Sequence, residues 1–333
     1  MTASSVPSVT SVVNPLFDLA SLTKPLITAP LAHAFLDLDA DRRFALGFHA
    51  RETPLTARQL LCHGAGLPPW RPFTGESVAA QLRRTVAGHA LLREAKVGEA
   101  TYSDLGYRLL AELVEDETRV SFARLGAALS GLTPAPWRDA PEQMPDGPDA
   151  EAWRAAEPEL VVPQPDAHLP HDLNARAGMQ GHAGFGAAAG QLRAWLKIWS
   201  VQWAPRMCVE TSKEADGSIW GLGLRVAHFG SGRFAELLER IPLGMPESPW
   251  VIEWPIETLD QPAPALSAEP GPPSSWWCHF GFTGSALFFR PTDGACLAVV
   301  MHRLGPEGIL LSANELRARR WYILDRFTAK LGG

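Results

Sequence analysis

The sequence predicts a mixed α/β (α+β) fold, in which an antiparallel sheet flanked by helices adjoins a mainly helical region. Three observations carry this expectation. "SDLGYRLLAELVEDE" has strong helical periodicity, with Leu105, Leu109, Ala111 and Leu113 among its apolar positions. "GSALFFRP" and "ACLAVVMHR" are β-rich runs separated by "TDG", which signals a hairpin. "ANELRARRWYILDRFTAKL" follows as an amphipathic helix. Helices through the middle, then strands and a helix, describe two layers of different kind, with the mixed layer assembled late in the chain.

Taken in order, the first fourteen residues are small, polar and β-branched, and form a flexible arm or one added strand. From Ser21 to Leu38 the apolar spacing is helical, and Pro30 is expected to kink or split that helix. "TPLTARQLLCHGAGLP" opens at Thr53-Pro54, contains a short helical run and stops at Gly64 and Gly66. Between Thr133 and Pro170 proline, acid and alanine dominate, giving a long irregular connection. "AAAGQLRAWLKIWSVQW" resumes helix, with Trp195, Trp199 and Trp203 at i, i+4 and i+8 as a packing stripe. The proline-rich run Gln261 to Ser275 reads as an exposed insertion.

Composition narrows the function classes. The 333 residues are 46% hydrophobic and 20% charged, with a net charge of -6, enough for one large domain or two ordinary ones. No basic stripe invites nucleic acid, and no apolar run approaches the roughly 20 residues that cross a bilayer. The N-terminal "MTASSVPSVTSVVNPL" lacks a basic and then apolar secretory pattern. The expected compartment is therefore the cytoplasm, or an exported one if the true start lies upstream. Cys62, Cys208, Cys278 and Cys296 are far apart without a CxxC pair, and read as free thiols with no metal site. Cys278 beside His279 is expected to be a small buried residue, easily alkylated if it reaches a cleft. No cofactor is implied.

The chemistry starts in "FDLASLTKPLITAPL". On a helix Ser21 and Lys24 share one face. A serine hydroxyl needs a base to become a nucleophile, and a desolvated lysine can serve because burial favours its neutral form. Backbone N–H groups at a helix start also face any oxyanion formed on attack at a carbonyl. One S-x-x-K arises by chance in roughly one such chain in three, so companions matter. "TYSDLGY" supplies Tyr102, Ser103 and Asp104 at a helix entrance, and "HFGFTGS" supplies His279 and Gly281 beside the hairpin. A glycine there permits close backbone approach.

The order S-x-x-K, Y-x-(N/D), (K/H)-x-G resembles that of penicillin-recognising serine hydrolases. The chain resembles the serine β-lactamase-like family, comprising class C β-lactamases, penicillin-binding proteins, D-aminopeptidases and related esterases, from Phe17 to Arg303. "LTARQLLCHGAGLP", "HDLNARAGMQGHAGF" and "WGLGL" resemble further segments of that family, the second belonging to one penicillin-binding-protein-like branch. The resemblance implies a β-lactamase/transpeptidase-like fold, with residues 1–30 and 180–333 forming the sheet domain, 31–179 a mainly helical domain, and the active-site cleft between them. It implies Ser21 as the acylated nucleophile, Lys24 as its proton acceptor and Tyr102 as second general base. The N–H groups of Ser21 and Phe282 would form the oxyanion hole. Asp104, His279 and Gly281 would meet substrate, with His171, Asp172 and Asn174 bordering the cleft. His63 and His182 are expected to be structural, bonding loop backbone near glycines.

Three departures from the pattern shape the expected function. Family members usually have roughly fifty or more residues before the nucleophile, including two strands of the main sheet, whereas twenty precede Ser21 here. With those strands apparently missing, "ACLAVVMHR" would be an open edge, expected to pair with the arm Thr2–Val13 or with a second chain as a homodimer. Asp104 stands where the family usually has Asn, and near Lys24 a carboxylate favours the ammonium. Phe280 replaces a hydroxyl residue that often binds substrate carboxylate. These point to a small uncharged ester or amide cleaved through an acyl-enzyme. Two alternatives stand beside it: a peptidoglycan-directed D,D-peptidase or weak β-lactamase, and a catalytically silent binding protein.

Overall fold

The computed structural model describes residues 17–42, 54–72, 77–81, 83–84, 90–91, 94–134, 172–176, 180–215, 217–227, 251–254, 276–300 and the helical positions 316, 320, 323, 324, 327 and 328. The arm Thr2–Val13, most of the proline-rich connection, the insertion Gln261 to Ser275, and His171 lie outside the described residues.

Twelve strands are described. A short three-stranded sheet has the order β1-β5-β4, built from Phe17–Asp18, Thr133–Pro134 (β4) and Phe185–Ala187 (β5). Arg83–Arg84 (β2) pairs with Ala90–Leu91 (β3). The main sheet is antiparallel and seven-stranded, in the order β6-β7-β8-β10-β11-β12-β9. Its strands are Ser212–Lys213 (β6), Ile219–Trp220 (β7), Arg225–Ala227 (β8), Val251–Trp254 (β9), Trp276–Phe280 (β10), Ala286–Arg290 (β11) and Ala295–Val299 (β12). The hairpin read from "TDG" is β11–β12, with Arg290 opposite Ala295 and Asp293 paired to Arg290 at the turn.

The expected open edge of β12 is occupied. β9 pairs along it, from Cys296 opposite Trp254 to Val299 opposite Val251. The strand that covers this edge therefore comes from within the chain, where the sequence suggested the N-terminal arm or a second copy. The segment lies more than forty residues upstream of β12, behind the proline-rich insertion, so no local signal tied the two together.

Both faces of β10–β12 are buried, which explains their continuous apolar runs. Trp277, Leu287, Phe289, Cys296 and Ala298 join the large core shared with the helices. Trp276, Cys278, Phe288, Leu297 and Val299 pack against Leu324 and Phe327, which lie one helical turn apart near the C-terminus. Alternation along the strand thus assigns His279 to the face that bears the helical core.

The helices expected at Ala57–Leu61, Asp104–Thr118 and Ala189–Gln202 are present. Ala57–Leu61 starts from a capping box, in which the Thr56 hydroxyl accepts from Gln59 N and the Gln59 side chain accepts from Thr56 N. Asp104–Thr118 is capped by Ser103 Oγ, which accepts from Gly106 N at 3.1 Å. Phe122–Ser130 and Ala189–Gln202 complete the main set, with shorter turns at Val78–Gln81, Leu173–Arg176 and Ala204–Met207.

The nucleophile segment departs most from its sequence reading. In place of one kinked helix there are three consecutive helical types: 3-10 at Ala20–Leu22, π at Lys24–Thr28, and α at Ala29–Phe35. The Ala29 amide reaches back to Lys24 O, and Pro30 has no N–H to offer the preceding carbonyls. Two tryptophans supply the missing donors. Trp195 Nε1 donates to Leu26 O at 3.0 Å, and Trp199 Nε1 donates to Pro25 O at 2.8 Å. The stripe read as packing is therefore also a pair of hydrogen-bond donors that fix the backbone just behind Lys24. Trp199→Phe keeps an aromatic side chain but loses the pyrrole N–H, leaving a buried carbonyl unpaired and a small void. It is expected to destabilise the protein by about 1–3 kcal/mol, read as a lower urea midpoint with unchanged slope.

Candidate active site

Ser21 is presented by a strained residue. Ala20 has φ 47, the left-handed region that non-glycine residues seldom occupy. It is fully buried, and its N–H donates to Asp18 Oδ1 at 2.8 Å. Such conformations persist only where surroundings over-determine them, and they cluster at functional sites. Ser21 itself is half-buried.

Lys24 has no exposure to solvent. Its ammonium donates to Ser21 Oγ at 3.0 Å and to the His182 carbonyl at 2.9 Å, and pairs with Asp104 Oδ1 at 2.6 Å. It also lies over the Tyr102 ring, 4.9 Å from the centroid, with Tyr107 beneath at 5.7 Å. Burial pulls the lysine down, but the Asp104 carboxylate and then the Tyr102 phenol oxygen outweigh it, and Lys24 is held above its ordinary range. This corrects the expectation that burial leaves the lysine neutral. The desolvation is present, but a carboxylate at contact distance reverses its sign.

Tyr102 stands close enough to Lys24 and Ser21 to interact with both. Burial raises its phenol, with Lys24 acting in the opposite direction. Its ring belongs to an aromatic wall with His63 at 4.6 Å, Trp220 at 5.8 Å and His279 at 6.0 Å between centroids. His63 has the structural bond expected of it, since its Nδ1 accepts from Ser103 N at 3.0 Å. Burial, followed by the nearby Lys24 charge, keeps both His63 and His279 neutral. Neither ring nitrogen of the buried His279 has a hydrogen-bond partner among the described residues.

The turn after β10 lies against the Ser21 segment. A Cβ on Gly281 would meet Leu19 O at 3.1 Å and Ala20 Cβ at 3.5 Å, so glycine lets this turn lie against the nucleophile segment. Thr283 Oγ1 donates to Asp18 O at 3.2 Å. Arg320 then grips the turn from behind, donating from Nε to Gly284 O at 2.8 Å and from its terminal nitrogen to Gly281 O at 2.6 Å. Between these fixed points sits Phe282, whose side chain is 42% exposed.

The branch-specific segment behaves differently from the expectation that it borders substrate. Asp172 and Asn174 are buried. Asp172 Oδ1 lies 2.7 Å from His182 Nε2 and accepts from Ala175 N at 2.8 Å, while Asn174 Nδ2 donates to Arg71 O at 2.7 Å. They pin a loop whose carbonyls point at other parts of the site: Gln180 O accepts from Arg108, Gly181 O from Thr28 Oγ1, and His182 O from Lys24. Glycine is required at 181, where φ is 117 and a Cβ would sit 2.7 Å from Tyr107 O. Cys278 is fully buried, its thiol pushed up to about 11 by burial despite Arg225 and Arg320 nearby, so it is neither accessible nor reactive.

Sequence reasoning therefore placed Ser21, Lys24, Tyr102, Asp104, His279 and Gly281 in one locality, and the structure brings them together. It missed Trp220, Thr283, Arg320 and the His182 carbonyl. "WGLGL" was the only signal for Trp220. A backbone acceptor and an arginine 299 positions after the nucleophile have no local signature.

A seven-stranded antiparallel sheet beside helices, with Ser-x-x-Lys opposite the turn after β10, defines a protein of β-lactamase/transpeptidase-like fold. The chain belongs to the Beta-lactamase family, whose sequence profile matches residues 8–320. Members of that family are serine hydrolases. Among solved structures it resembles a Beta-Lactamase/D-Alanine Carboxypeptidase from Pseudomonas syringae, at 16% identity and TM-score 0.54 over 93% of this chain and 84% of that one. A class C beta lactamase from Rhodobacter sphaeroides is 15% identical, with TM-score 0.54 over 99% and 89%. SurE with D-Leu is 18% identical at TM-score 0.54, with 98% of this chain covering 66% of that one, so this chain spans about two thirds of SurE. At these identities the likeness is one of fold. No curated protein matches in sequence. Among the described residues no helix is long and apolar enough to cross a membrane.

Proposed function

We propose that this protein is an esterase or amidase that cleaves a small substrate through an acyl-enzyme on Ser21. The single observation that supports it most is the contact of Ser21 Oγ with a fully buried Lys24, in a cluster that also holds Tyr102 and Asp104. Ser21 attacks the carbonyl as its proton leaves into this cluster, and the N–H groups of Ser21 and Phe282 face the developing oxyanion. Each such donor is typically worth about 2.7–4 kcal/mol in the transition state. Collapse expels the alcohol or amine, and water then releases the acid.

The neutral state of His279 supports an uncharged substrate over a carboxylate, because the position beside the turn offers an imidazole without a positive charge. Intact mass after incubation with a fluorophosphonate provides the test. One adduct on the wild type, absent from Ser21→Ala, is expected. Labelling by benzylpenicillin as well would move the substrate towards peptidoglycan or β-lactams. No adduct from a cooperatively melting chain would favour a silent binding protein.

A further inference from the structure

We propose that Asp104 is the terminal proton acceptor for Ser21, with Lys24 as the relay between them. The inference rests on the acyl-enzyme reading above. It starts from the occupancy of the lysine. The Lys24 ammonium donates to Ser21 Oγ and to the His182 carbonyl, and Asp104 Oδ1 lies 2.6 Å from the same nitrogen as its ion-pair partner. No lone pair is left on Nζ to receive a proton from serine. Ser21 and Lys24 come from the nucleophile segment, Tyr102 and Asp104 from the start of helix Asp104–Thr118, Tyr107 from within it, and the carbonyl from the 180–184 loop.

The remaining titratable neighbours do not supply a base. Tyr102 holds its proton, because burial raises the phenol. His63 and His279 are neutral and weakly basic, and the Nδ1 lone pair of His63 is committed to Ser103 N. Among the described residues Asp104 is the carboxylate paired with Lys24. Its side chain keeps 19% exposure, while Oδ1, the oxygen facing Nζ, is itself buried.

The steps balance. Lys24 gives one proton to Asp104, and rotation about Cε–Nζ turns the freed lone pair towards Ser21. As the bond from Ser21 Oγ to the acyl carbon forms, the serine proton moves to Nζ, restoring the ammonium. Collapse breaks the bond from carbon to the leaving group. The proton stored on Asp104 then returns through Lys24 or the Tyr102 hydroxyl to that group. Asp104 ends as carboxylate and Lys24 as ammonium, ready for water to repeat the cycle.

The test is the rate of Ser21 labelling by a neutral fluorophosphonate and of turnover of a neutral p-nitrophenyl ester, across pH, in wild type, Asp104→Asn and Asp104→Glu. The expected result is an Asp104→Asn rate lower by about 10²-fold at neutral pH, with its acid limb moved upward because Lys24 must now lose its proton to solvent. Asp104→Glu, which keeps the carboxylate, should retain the wild-type limb. A faster Asp104→Asn would mean that the carboxylate only restrains Lys24, and would overturn the proposal. So would a changed KM with an unmoved pH profile, the mark of a substrate contact. Matched melting curves separate these outcomes from misfolding, with Asp104→Glu deciding if Asp104→Asn fails to fold. A wild type that is never labelled sinks the hydrolase reading itself, and this proposal with it.

Discussion

Lys24→Met is expected to abolish labelling of Ser21, lowering its rate by about 10³-fold or more, within the range for loss of a positioned proton-transfer group. Serine keeps its place on the strained turn at Ala20, but its hydroxyl loses the ammonium that donates to it. The variant also tests stability. Methionine fills the lysine's volume but leaves Asp104 without its cation and the His182 carbonyl without its donor. Breaking an enclosed ion pair on one side costs about 3 kcal/mol or more, reduced here because Asp104 retains some contact with water.

The pH dependence of that stability has a definite sign. Lys24 is raised above its ordinary value of 10.5 when folded, so its contribution is complete below 10.5 and disappears as pH climbs through the higher folded value. The gap in unfolding free energy between wild type and Lys24→Met should be flat from neutral pH to about 10 and narrow only above it. Urea titrations at neutral pH and above pH 11 measure it. A gap that changes between neutral pH and about 10 would contradict the ammonium state assigned here.

Arg320→Met is the second large effect. Its guanidinium spans the carbonyls of Gly281 and Gly284 on either side of Phe282, while Thr283 ties the same turn to Asp18. Losing the clamp frees the turn that presents the Phe282 N–H. The expected result is a fall in acylation rate of about 10²-fold, close to the loss of one oxyanion donor, with KM for a neutral ester little changed. Two buried carbonyls lose a charged donor, which adds about 1–3 kcal/mol of destabilisation. Partial restoration of Arg320→Ala activity by added guanidinium, with no change in melting midpoint, would separate turn positioning from general support of the fold. A rate that follows stability alone would refute the positioning role.

The site was legible to unequal degrees. Ser21 and Lys24 are three residues apart, and local helical geometry suffices to bring them together. Tyr102 and Asp104 were found because "TYSDLGY" follows S-x-x-K in motif order at a helix entrance, where Ser103 caps the helix that begins at Asp104. Asp104 even announced the ionisation of Lys24, since a carboxylate beside an ammonium acts in one direction whatever the fold. Asp172 and Asn174 were placed at the substrate by resemblance, yet the structure turns them inward to His182 and the Arg71 carbonyl. Sequence pattern marked their segment as special without showing on which side of the loop its polar groups would fall.

What the sequence determined by itself was the set of elements with local causes: the capped helices, the β11–β12 hairpin, the glycine before Phe282, and the order of the three motifs. What only the tertiary structure decided were the partners supplied from a distance. β9 covers the edge of β12 in place of an arm or a second chain. Trp195 and Trp199 satisfy carbonyls that Pro30 cannot, converting an expected kink into a π turn. His182 gives Lys24 a backbone acceptor, and Arg320 fixes the turn that carries Phe282. The physical reason is common to all of them. Helix periodicity, caps and turns act over a few residues and leave a mark in sequence, whereas an unsatisfied carbonyl, sheet edge or ammonium accepts any donor, acceptor or strand that packing delivers.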